Sequence, residues 1–287
     1  MIYLIIAVIM SSSVSLIMRW SEKHVKNNFA MFLANYITCS AIALTFLLIS
    51  GGKLAAGGEG LPFAIGLGCI GGVLYLVSFM FLKFNIGKNG VMLSTVFMKL
   101  GVLVPAVIAI VFFREAPTYL QLIGFAAALA AIVIIYFVPN RARKAGEKRS
   151  SGSVVSLLLL LLLGGMAESM ANIYDKLGNP AMKDLYILCI FGTAALLCVI
   201  VLITKRQPIG RKDILFGIMI GVPNYFSTRF LLLALADVPA VVTYPVYNIG
   251  AIIIVCAAGI LLFKERMSAR KWFGFALIAA ALVLLNI

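Results

Sequence analysis

Acidic residues and histidine are scarce in this chain: ten Asp or Glu and one His among 287 residues. An integral-membrane enzyme acting on lipid would want His, Asp or Ser–His clusters near an interface, and His24 alone in a basic loop supplies none. The five cysteines (Cys39, Cys69, Cys189, Cys198 and Cys256) all fall in apolar stretches, with no Cys-x-x-Cys pair. Neither a metal centre nor a disulfide framework is therefore expected, and no cofactor is. A phosphate-cradling Gly-Lys-Ser/Thr loop is missing, which argues against direct ATP coupling within the chain. No ring of carbonyls or repeated acids suggests a channel filter. Water-facing surface is lacking as well. Hydrophobic residues make up 63%, charged residues 12%, and mean hydropathy is +1.11. A soluble domain needs more polar surface than that, so the composition predicts a membrane protein.

What is present is a duplication. Ten apolar segments of membrane length lie at roughly 2–20, 29–50, 61–82, 89–112, 117–138, 154–174, 184–204, 213–236, 239–262 and 268–286. About 20 residues, each rising 1.5 Å, cross a hydrocarbon core of roughly 30 Å. The second five segments repeat the first at an offset of 150. Phe113-Arg114-Glu115 matches Phe263-Lys264-Glu265, Gly124-Phe125-Ala126 matches Gly274-Phe275-Ala276, Gly71 matches Gly221, and Tyr75 matches Tyr225. An odd number of spans per repeat turns the copies upside down relative to each other. The expected architecture is all-α integral membrane, with ten transmembrane helices as two inverted five-helix repeats. It forms one domain over 1–287, with repeats at 1–140 and 154–287.

The net charge of +14 is explained by loops, not by a nucleic-acid surface. Eighteen Lys or Arg lie in the loops after odd-numbered spans and four in those after even-numbered spans. Cytoplasmic loops carry the basic excess, so both termini are expected outside. Met1 to Met10 has no basic n-region of a cleavable signal. Compact loops and no targeting extension suit the cytoplasmic membrane of a prokaryote.

Each repeat closes with Arg/Lys-Glu at the end of its fourth span, followed nine residues after the Glu by Gly (Glu115 to Gly124, Glu265 to Gly274). Over essentially the whole chain this pattern resembles the drug/metabolite transporter superfamily, specifically its EamA-type members. The resemblance implies a ten-span secondary carrier. Such carriers usually read with cytoplasmic termini, which the loop charges here contradict.

The residues expected to carry function are polar and deep, because an ionised side chain at the bilayer centre costs at least about 2.5–3.5 kcal/mol. Lys99 in span 4 lies about 15 Å deep, and Glu168 in span 6 and Arg229 in span 8 about 12 Å deep. In one reading Arg229 and Lys99 attract an anionic group while Glu168 holds Arg229, takes a substrate ammonium or carries a coupling proton. In the other, Glu168 and Arg229 form a structural ion pair. Asn224 beside Pro223, and Tyr244, Tyr247 and Asn248 around Pro245, are expected near backbone breaks that expose a cavity. Pro105 is expected to break span 4 likewise. Tyr75 and Tyr225, at matching repeat positions, are expected to face the pseudo-symmetric centre, and Ser11 to Ser13 with Ser15 give span 1 a polar stripe. The cavity is expected among spans 1, 3, 4, 6, 8 and 9. Glu115 and Glu265 are expected to turn or gate the chain rather than bind. Spans 5 and 10, rich in Gly and Ala, are expected at the periphery, as packing struts or a homodimer surface.

Two base-type residues against one acid favour an anionic or zwitterionic, amino-acid-like solute moved by alternating access. The alternative is efflux of cationic or amphipathic drugs coupled to protons through Glu168. The expected partners are the lipid bilayer and a small solute, with proton or ion coupling open.

Overall fold

A computed structural model describes residues 2–49, 60–104, 107–108, 118–136, 151–206, 208–238, 240–265 and 269–284. Among these residues the chain is helical throughout: α1 (Ile2–Ser21), α2 (Asn28–Ile49), α3 (Leu61–Asn89), α4 (Val91–Lys99), α5 (Tyr119–Tyr136), α6 (Ser151–Leu177), α7 (Lys183–Lys205), α8 (Arg211–Asp237), α9 (Ala240–Leu261) and α10 (Ala269–Leu284). In lipid an unpaired peptide group has no water to turn to, and a helix satisfies its backbone internally. Six helices (α1, α2, α3, α6, α7 with its preceding turn, and α8) are long and apolar enough to cross a membrane.

Helix ends follow local chemistry. Asn27 Oδ1 accepts from the backbone N–H of Phe29 and Ala30 at 3.0 and 3.2 Å and caps α2. Asp213 accepts from Gly210 N at 3.0 Å to cap α8, and also from Lys26 N at 3.0 Å, tying the α1–α2 loop to the α8 start. Helix α3 runs past residue 82 to Asn89 and stops at Gly90, whose φ of 86° favours glycine. Helix α4 tightens into a 3-10 turn at Leu100–Val102. Pro105, the expected break in span 4, lies outside the described residues. The expected break at Pro223 is absent: α8 is continuous from Arg211 to Asp237. A single missing donor costs one backbone bond, and tight packing on α1 and α2 holds the helix on both sides of it.

The packing is duplicated. Helix α1 lies on α8 and α9, and α6 on α3 and α4; α2 lies on α8, and α7 on α3; α2 meets α7, α4 meets α9, and α5 meets α10. Exchanging each helix with the one five places away returns the same set of pairs. The match extends to atoms. A Cβ at Gly72 would sit 2.5 Å from Ile190 O and 2.8 Å from Thr193 Cβ; at Gly221 it would sit 2.7 Å from Asn35 O and 2.7 Å from Thr38 Cβ. Gly68 likewise faces Cys189 and Gly217 faces Ala34. These small-xxx-small pairs let backbones approach closely in lipid. They place α3 and α8 at an offset of 149, and α2 and α7 at 155, whereas the matched sequence motifs give a constant 150. Loop lengths differ between the halves, so no single offset fits every helix pair.

Helices α5 and α10 pack on each other through Ala128, Ala131, Ile278 and Ala281, all fully buried. Their neighbouring surfaces carry exposed Leu122, Ile123, Phe273 and Val283.

Candidate functional site

A cavity of about 170 Å³ lies at the centre of the duplicated packing, bounded by α1, α3, α4, α6, α8 and α9. Its lining repeats with the fold. Ser15 and Glu168, Tyr75 and Asn224, Ser78 and Ser227, Met98 and Tyr247, and Lys99 and Asn248 are paired across the two halves, and all ten line it. The offset is 149 for most pairs and 153 for α1–α6, since Gly101 packs on Leu161 as Gly250 packs on Val8. The volume has room for several waters or one small organic solute.

Two charges face this space, one from α4 and one from α6. The ammonium of Lys99 donates to Ser11 Oγ at 3.2 Å and stands 3.9 Å above the centre of the Tyr247 ring. A cation over an aromatic face is held by the ring quadrupole, and one hydrogen bond leaves further ammonium donors to spend on a ligand. Glu168 makes no ion pair within 4.0 Å among the described residues. Each of these charges faces an uncharged partner in the other half, Lys99 matching Asn248 and Glu168 matching Ser15. The cavity lining thus carries one cation and one anion.

Amides and hydroxyls fill in the remainder. Tyr75 donates from its hydroxyl to Asn224 Oδ1 at 3.2 Å across the interface between the halves, and Asn224 Nδ2 donates to Asn35 Oδ1 at 3.2 Å. Ser227 Oγ and Tyr247 OH are 3.0 Å apart. Tyr75 stacks on Phe79 with centroids 5.0 Å apart, making one aromatic wall. Among the described residues, three buried polar atoms of the lining have no protein partner: Ser78 Oγ, Thr95 Oγ1 and Asn248 Oδ1. Buried polar atoms are normally satisfied, so these three call for water or a polar ligand.

Of the residues expected to bind, Lys99, Glu168, Asn224, Tyr75, Tyr247 and Asn248 line the cavity. The side chain of Tyr244 lies outside the described residues, as do the side chain of Pro245 and all of Glu115. Arg229 and Tyr225 are elsewhere. The guanidinium of Arg229 pairs with Asp184 at 3.5 Å, lies 3.9 Å above the Phe46 ring and donates to Tyr225 OH at 3.2 Å. The expected contact with Glu168 is therefore replaced by one with Asp184. Tyr225 stacks on Phe46 at 5.9 Å. The reason is register: at an offset of 149 the counterpart of Tyr75 is Asn224, and Tyr225 turns about 100° further round α8. Sequence reasoning passed over Ser227 and Asn172. One turn's spacing from Asn224 and from Glu168 was the available signal, since residues three or four apart share a helix face.

Buried charge at the centre of a helical, lipid-compatible bundle defines a multi-pass membrane protein of transporter type. A family match agrees at that level. The family described as Small Multidrug Resistance protein matches residues 185–278, a segment from α7 to α10. An uncharacterized protein of Haemophilus influenzae is 25% identical over 281 residues, covering 94% of this chain and 92% of the other. A protein of known crystal structure shares the fold at a TM-score of 0.63 and 14% identity, covering 98% of this chain and 95% of that one.

Proposed function

We propose that this chain is a secondary transporter that carries a small zwitterionic, amino-acid-like solute by alternating access. The observation that carries the reading is the single Lys99 and single Glu168 facing one cavity between duplicated halves. A carboxylate suits Lys99, and an ammonium suits Glu168 and the unpartnered Asn248 Oδ1. With Arg229 turned to Asp184, the two charges balance, which moves the preferred substrate from anion towards zwitterion. The halves are two five-span repeats of inverted topology, supported by the exchange symmetry of the helix contacts. The excess of basic residues in alternate loops supports both termini outside, in a prokaryotic cytoplasmic membrane.

The match to the Small Multidrug Resistance family favours a second reading, efflux of a cationic or amphipathic compound through Glu168. One experiment separates the two. Ligand binding to the folded state raises the melting temperature by mass action, so purified protein is heated with zwitterionic, anionic and cationic metabolites. Stabilisation by zwitterions that needs both Lys99 and Glu168 supports the carrier reading. Stabilisation by cations alone, needing only Glu168, replaces it with the efflux reading.

A further inference from the structure

The cavity lining differs between the halves at two matched positions. On one side its lining continues past Glu168 and Leu231 to Asn172 and Leu232. The equivalent residues of the other half, at the same offsets of 153 and 149, are Arg19 and Lys83. Neither lines the cavity, and both are held in a network at the end of the bundle that bears the basic loops.

The network ties four segments together. Lys83 is buried, and its ammonium donates to Ser21 Oγ at 2.6 Å and Met18 O at 3.1 Å while pairing with Glu22 at 2.6 Å. Arg19 pairs with Glu265 at 3.4 Å and donates to Ile86 O at 3.1 Å. Glu265 in turn accepts the backbone N–H of Val91 at 2.9 Å and of Met92 at 3.3 Å, capping α4. A carboxylate at a helix N-terminus is favoured by the exposed N–H groups and the helix dipole. Gly90 leaves room for it, because a Cβ there would meet Glu265 Oε1 at 2.7 Å. The ends of α1, α3 and α4 and the turn after α9 are thus closed by one set of charges.

We propose that Arg19, Lys83, Glu22 and Glu265 form the gate that closes the basic-loop end of the cavity, which makes the present conformation open towards the opposite face. The assignment rests on the carrier reading given above. A gate of charges suits repeated opening. Leucines exposed by opening would lose about 25 cal/mol for each Å² returned to water, whereas separated charges regain hydration. Breaking contacts made only in the closed state shifts the population towards the open one.

The test is thiol labelling at this end of the cavity. The five native cysteines are replaced, Leu82→Cys is introduced, and a membrane-impermeant maleimide is added to the basic-loop face of sealed vesicles. Leu82 lines the cavity and is 1% exposed, so labelling from that face is slow with the gate shut. Glu265→Gln and, independently, Glu22→Gln are expected to raise the rate about tenfold, the response to a tenfold shift in the population of the open state. Unchanged rates in both variants overturn the gate, as does a rise confined to protein that has lost monodisperse elution. Labelling needs no solute, so its outcome is independent of the thermal-shift result: a labelling response without any ligand stabilisation retains the gate and removes the proposed substrate.

Discussion

The two halves of this protein share a scaffold and differ in chemistry. Gly68 and Gly72 receive α7 as Gly217 and Gly221 receive α2, and Ser78 mirrors Ser227 in the cavity wall. At four other matched positions one half is charged and the other is not: Lys99 against Asn248, Glu168 against Ser15, Lys83 against Leu232, and Arg19 against Asn172. Packing has to be satisfied in both copies, so glycines recur. Each charge buried in lipid is expensive, so charges appear only where a ligand or a network meets them.

The comparison is broken most severely at the shared contacts. Gly72→Leu and Gly221→Leu each drive a side chain into the backbone of α7 or α2, where overpacking typically costs 1–3 kcal/mol or more. Both variants should lose several degrees of melting temperature, by similar amounts. A large loss in only one would show that the scaffold is less symmetric than its contacts. Next come the unshared charges. Lys99→Met or Glu168→Gln removes a charged partner worth roughly 1.5–3 kcal/mol, so solute affinity read by the thermal shift should fall about 10- to 100-fold. Moving the charge sharpens the point: Lys99→Asn with Asn248→Lys should restore part of that affinity if the cavity tolerates exchange between its halves. The smallest effect is expected at Arg229→Met. Its pair with Asp184 lies outside the cavity, so the substitution removes no group that faces the solute. Ligand stabilisation should survive the change, and its loss would return Arg229 to the binding site.

Much of the fold was legible because lipid imposes strong rules. Apolar runs such as Val154–Tyr174 announce helices, and matched motifs such as Phe113-Arg114-Glu115 and Phe263-Lys264-Glu265 announce duplication. The six cavity helices followed from where polar residues lie deep. Register was harder. A one-residue change of offset turns a helical position by about 100°, enough to replace Tyr225 by Asn224 at the centre. The partner of Arg229 was likewise hidden, since equal depth on α6 and α8 did not reveal that Asp184 at the start of α7 lies nearer. Pro223 misled in the other direction, as a helix packed on two neighbours absorbs one missing hydrogen bond.

By itself the sequence determined a helical membrane protein with two related halves and a few deep charges, because composition, period and span length are local properties set by the bilayer. Only the tertiary structure decided which charges share a space. Lys99 and Glu168 meet at the cavity, Arg229 turns to Asp184, and Glu265, about 175 residues beyond Gly90, caps α4. Those choices depend on how helices rotate against one another, and that rotation is set by close contacts such as Gly72 on Ile190, which no single segment specifies alone.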